Sequence, residues 1–159
     1  MNIFDGNKKL KTAKIITLIF LGVLFVWFSF DMTGLKSGQT KIVTPAFPDT
    51  PEDFVFWLLF VGAIVVFVLK DGVGKYVLTG FLLVWFLIQA TVYFSGGEGI
   101  ARYNDFFFDT HRIFAASDKF IIKDTYHMFL DVFILSALIA AVWYLVLKIR
   151  IRRTKNYPN

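Results

Sequence analysis

Residues 51–94 read PEDFVFWLLFVGAIVVFVLKDGVGKYVLTGFLLVWFLIQATVYF. Two apolar runs, Phe54 to Leu69 and Tyr76 to Phe94, flank Lys70-Asp71-Gly72-Val73-Gly74-Lys75. The glycines of that segment release the backbone and its charges keep it in water, so it predicts a turn joining two antiparallel helices. Ahead of the first run, Thr50-Pro51-Glu52-Asp53 predicts a helix start. Thr50 can cap, Pro51 suits the first helical position, and Glu52 and Asp53 put negative charge where the helix dipole favours it. A helix over 51–69 is about 28 Å long, enough to cross a hydrocarbon core. In the third run Gln89 and Thr91 should face other helices, because lipid offers their polar groups no partner.

Working outward, Ile15 to Phe30 predicts a span over about 13–32, entered through Lys8, Lys9, Lys11 and Lys14. A cleaved signal peptide is the competing reading. The run is longer than a usual apolar signal core and ends in Phe28-Ser29-Phe30-Asp31 with no small-x-small cleavage site, which favours a retained anchor. Met128 to Leu147 predicts the last span, followed at once by Lys148, Arg150, Arg152, Arg153 and Lys155. The predicted fold class is therefore all-α: a polytopic membrane protein, one domain over 1–159, with spans near 13–32, 51–69, 76–94 and 128–147 in an antiparallel bundle. Composition agrees, since 57% of the 159 residues are hydrophobic and 18% charged, against about 45–50% and about 25% in soluble domains. An ordinary soluble enzyme is excluded.

Charge placement predicts orientation. The N-terminal tail, the 70–75 turn and the C-terminal tail hold eleven of the 17 Lys and Arg, for a net +9, while the opposite loops carry a net −4. The positive-inside rule then puts both termini in the cytoplasm of a plasma-membrane protein, with loops 33–50 and 95–127 outside. The basic tail reads as a topology signal in contact with anionic headgroups, and no nucleic-acid partner is expected. Trp27, Trp57, Tyr76, Tyr93, Trp143 and Tyr144 lie toward span ends as an aromatic belt would, whereas Trp85 should pack inside.

Loop 33–50, with Gly34, Gly38, Pro45 and Pro48, reads as an extended connector able to pair with a partner segment. Loop 95–127 is the chemically informative stretch. It holds both histidines, His111 and His127, together with Glu98, Asp105, Asp109, Asp118 and Asp124. Its Phe106-Phe107-Phe108, Ile113, Phe114 and Phe120 predict one or two short interfacial helices. Asp124, His127 and Asp131 fall at i, i+3 and i+7 and share a helix face. A carboxylate one turn from an imidazole fixes its tautomer and raises its basicity, as a general base or a metal ligand requires. The candidate catalytic set is His127, Asp131, His111 and Asp109, with His127 or His111 as base and Asp131 or Asp109 as its orienting partner. On the structural alternative, Asp124 caps the last helix and Asp131 pairs with Arg102 or Arg112.

Residues 103–135 resemble the stretch before the last helix of bacterial lipoprotein intramolecular transacylases, where a Phe-rich segment ends in a Phe-His pair. His111 falls on that histidine, but Thr110 replaces the phenylalanine. The tryptophan and proline expected further on are absent, as is the larger region between the first two spans, so membership is not assigned.

The chain has no cysteine, and it contains no Walker loop, zincin helix, nucleophile elbow or dinucleotide fingerprint. No cofactor and no metal are expected. Two functions remain. The first is a non-enzymatic accessory, immunity or assembly partner, working through the lipid bilayer with a membrane-protein partner or by self-association. It draws on the lack of ionisable residues deep in the spans. The second is a membrane enzyme acting on a lipid or lipid-linked substrate at the outer interface through a His/Asp acid–base site.

Overall fold

A computed structural model describes residues 3–45 and 51–156. It is mostly helical. Helix α1 covers Ile3–Thr33, strands β1 and β2 cover Leu35–Ser37 and Thr40–Val43, and α2 and α3 cover Pro51–Leu69 and Asp71–Thr91. A 3₁₀ turn, Val92–Phe94, leads to α4, Gly97–Phe106, and α5 runs over Thr125–Asn156. Four stretches, Gly6–Thr33, Pro51–Leu69, Asp71–Phe94 and Thr125–Thr154, are long and apolar enough to cross a membrane. Large apolar side chains cover their outer faces. Leu59, Val84 and Ile139 are each more than half exposed, an arrangement that a water-soluble bundle avoids.

The inner faces repeat at helical spacing. Phe60, Ala63 and Phe67 of α2, Leu78, Leu82 and Trp85 of α3, and Leu130, Ile134, Ala137, Ala141 and Tyr144 of α5 are all buried. Helix α1 packs chiefly on α5, α2 on α3, α3 also on α5, and α1 on α2, so the four close into a ring. Small residues set the close approaches. The Thr17 hydroxyl, fully buried, lies 2.9 Å from the Ala13 carbonyl oxygen of its own helix and 3.1 Å from that of Ala140 on α5, satisfying its donor as a buried hydroxyl must. Trp85 lies inside, with its ring 4.8 Å from Phe28, 5.1 Å from Phe56 and 5.3 Å from Phe60.

Several expectations change in detail. The 70–75 segment is not a loop, because α3 begins at Asp71 and only Lys70 stands between the helices. Gly74 is needed for contact: a Cβ there would lie 2.4 Å from the Phe67 Cα and the Val66 carbonyl oxygen. Helix α5 starts three residues before the predicted 128, because Asp124 caps it, accepting from the His127 backbone N–H at 3.1 Å. The expected cap of α2, Thr50, and Pro48 of the expected extended connector lie outside the described residues. Tyr144 is buried, not part of an exposed belt.

The helical expectation holds, with one small addition. Residues 35–43 form an antiparallel hairpin, entered through Gly34 and turned at Gly38, with φ of +74° and +61°, a conformation that glycine adopts at no steric cost. The hairpin does not stand alone. Lys41 bridges in parallel to Thr110, and the Lys41 carbonyl accepts from the His111 backbone N–H at 2.7 Å. Loop 95–127 contributes one short helix, α4, and then continues as irregular chain held against the hairpin.

Candidate functional site

The cap made by the hairpin and the 107–111 segment roofs a cavity of about 450 Å³ at one end of the bundle. Phe28, Phe56, Trp85 and Leu130 supply its apolar lining. Asp31, Asp53, Gln89, Asp124, Tyr126 and His127 are among its polar lining. The topology brings the acids together: Asp31 ends α1, Asp53 begins α2 and Asp124 precedes α5, and helices running in alternating directions set these three points at the same end.

Its best-defined pair is His127 and Asp124. The Nδ1 of His127 lies 2.7 Å from Asp124 Oδ2, and the Tyr103 hydroxyl donates to the same oxygen at 3.1 Å. The Asp124 side chain is 1% exposed and that of His127 20%. Burial alone would push the Asp124 carboxyl up, but the hydrogen bonds and charge of His127 and the Tyr103 hydroxyl outweigh it and hold the group below the ordinary carboxylate range. Burial first, and then the Asp124 charge, push the Tyr103 phenol well up, so it stays a donor. With Nδ1–H facing a carboxylate, the neutral imidazole keeps its lone pair on Nε2. The Phe107 ring, 4.8 Å away and edge-on, fixes the imidazole plane.

The other expected residues go elsewhere. Asp131 is drawn away from His127 by Lys123, whose ammonium reaches both Asp131 oxygens at 2.9 Å and the Gln89 side-chain oxygen at 2.9 Å. The Tyr93 hydroxyl donates to Asp131 at 2.9 Å, and its ring lies 4.8 Å from the Lys123 ammonium. Lys123 is 2% exposed; burial lowers its pKa, and the charges of Asp131 and Asp124 only partly offset that. This cluster replaces the expected pairing of Asp131 with Arg102 or Arg112. Arg112 instead donates to the Asn104 side chain at 3.1 Å and the Ile122 carbonyl at 2.8 Å. Asp109 lines the cavity but is paired with Lys41. His111 is exposed, does not line the cavity, and places Nδ1 2.7 Å from the Thr125 hydroxyl.

Three contributors were missed from sequence: Asp31, Asp53 and Tyr126. The usable signal was positional, since each acid sits at a span end that alternation brings to one side. Among the described residues, neither Asp31 nor Asp53 has an ion-pair partner. No group of three or more His, Asp or Glu there is placed to hold a metal ion. Compared with known proteins, the chain matches no family model, no curated protein and no solved structure.

Proposed function

We propose that this is a multi-pass plasma-membrane protein with cytoplasmic termini, and that its cavity faces outward and acts on a lipid or lipid-linked substrate by acid–base chemistry. The observation that carries the reading is the His127–Asp124 pair, 2.7 Å apart, at the wall of a cavity with an apolar lining. His127 Nε2 takes the proton of a substrate hydroxyl or a water as that oxygen bonds to the ester carbon of the lipid, and returns the proton to the ester oxygen released when its own bond to that carbon breaks. Asp124 holds the tautomer and stabilises the imidazolium formed between those steps. Phe28, Phe56 and Trp85 receive the apolar part of the substrate. Asp131, held by Lys123, has no part in the proton transfer.

The accessory reading rests on the lack of a catalytic motif and of ionisable residues deep in the spans, and the cavity favours the enzyme over it. The test is lipid mass spectrometry on proteoliposomes loaded with a total membrane lipid extract. A mass change that depends on the wild-type chain and disappears in His127→Ala, with both proteins inserted equally, supports the enzyme. An unchanged lipid profile with the wild-type chain overturns it and returns the accessory role. Protease accessibility of the 36–41 hairpin in sealed cells tests the orientation.

A further inference from the structure

Asp31 and Asp53 differ from the ion-paired aspartates of the protein. Asp71, Asp109 and Asp131 each face a lysine within ion-pair distance, and Asp124 faces His127. Asp31 and Asp53 line the same cavity with no cation against them among the described residues. The one lysine on the cavity wall, Lys41, is already held by Asp109. Carboxylates withdrawn from water without a counter-ion are costly, so a site that keeps two of them beside an aromatic wall favours a cation as occupant.

Tyr126 gives an independent observation. Its side chain is 1% exposed, its hydroxyl is buried with no hydrogen-bond partner among the described residues, and the residue lines this cavity. Buried hydroxyls in native proteins are nearly always bonded, so an orphan at a cavity wall marks a place for an occupant's polar group.

We infer that the cavity binds an amphiphile carrying a primary ammonium group, with Asp31 and Asp53 as its counter-ions and the Tyr126 hydroxyl oxygen accepting one of its N–H groups. The alkyl part lies against Phe28, Phe56 and Trp85, whose rings also attract a cation at their faces. The inference rests on the reading of this cavity as the substrate site and adds the substrate's charge class. The ammonium has two natural sources, an aminophospholipid headgroup and a free long-chain amine.

The test is equilibrium binding of decylamine, decanol and decanoate to the full-length protein in neutral maltoside micelles, read by tryptophan fluorescence and calorimetry. Decylamine is expected to bind about tenfold more tightly than decanol, the worth of one charge-assisted hydrogen bond. Asp31→Asn/Asp53→Asn should bring decylamine down to the level of decanol, and Tyr126→Phe should weaken it by about threefold. Should the double variant fail to fold, Asp53→Asn alone must lose about threefold. Asp71→Asn should keep the affinity within about threefold, since that carboxylate lies at the other end of the bundle, held by Lys148. Competition by phosphatidylethanolamine assigns the ammonium to a bilayer lipid, and competition by free amines alone assigns it to a soluble amphiphile; both support the inference. Equal binding of the three probes, no binding of any, or an unchanged double variant overturns it. If decylamine shows no preference while lipid turnover still depends on His127, the charge assignment fails and the acid–base reading stands.

Discussion

The two ends of the bundle treat aspartate in opposite ways. At the Asp71 end, the carboxylate accepts from the Lys148 ammonium at 2.6 Å, from the Tyr144 hydroxyl, and lies 3.5 Å from Lys14. It ties α1, α3 and α5 together. At the cavity end, Asp31 and Asp53 line the same cavity as Tyr126, with no cation against them among the described residues. A saturated carboxylate contributes to stability and has nothing left to offer a ligand. An unsaturated one costs stability and keeps its valence for an occupant, a common trade at binding sites.

The largest effect that would break this contrast concerns His127. Its replacement by Ala should lower turnover by about 10²–10⁴-fold, the usual worth of a positioned base, while Asp71→Asn leaves turnover unchanged; lipid mass spectrometry on both variants checks it. Next is Lys123→Met. Removing a buried ammonium while leaving Asp131 in place should cost about 3–5 kcal/mol, and the double variant Lys123→Met/Asp131→Leu should recover most of that in thermal unfolding. Recovery would show the cluster to be structural.

Asp124→Asn should cost about 1.5–3 kcal/mol at neutral pH through lost charged hydrogen bonds. Because the fold holds this carboxyl below its ordinary range, its stabilisation is complete above about pH 4 and is lost as the pH falls further. The gap between wild type and variant should therefore narrow in acid, as urea titrations at several pH values would reveal. The smallest effect is the most direct test of the two ends. Asp71→Asn should lower stability by about 1–2 kcal/mol, whereas Asp31→Asn should leave it equal or higher by about 0.5 kcal/mol. Equal losses at both would erase the distinction.

How much of this was legible depended on range along the chain. The 51–69 helix was readable to the residue, because proline, two acids and an unbroken apolar run are local signals. The cap at Asp124 was likewise readable from its position before an apolar run. Pairing of residues 35–43 with 110–111 was not, because a bridge between segments so far apart leaves no periodic trace in either. The partner of Asp131 escaped for a similar reason. Lys123 precedes α5 in irregular chain, and only the path of that chain decides that it, rather than an arginine, turns inward.

The residues by themselves determined four long apolar helices, both ends of α2, and the aspartates and histidine near the span ends, since burial periodicity and capping are properties of neighbouring residues. Tertiary structure alone decided which carboxylate holds His127, which are neutralised by lysines and which are left facing a cavity. Those outcomes depend on distances of a few ångströms between segments remote in sequence, and an electrostatic partner is chosen by distance and burial, not by residue type.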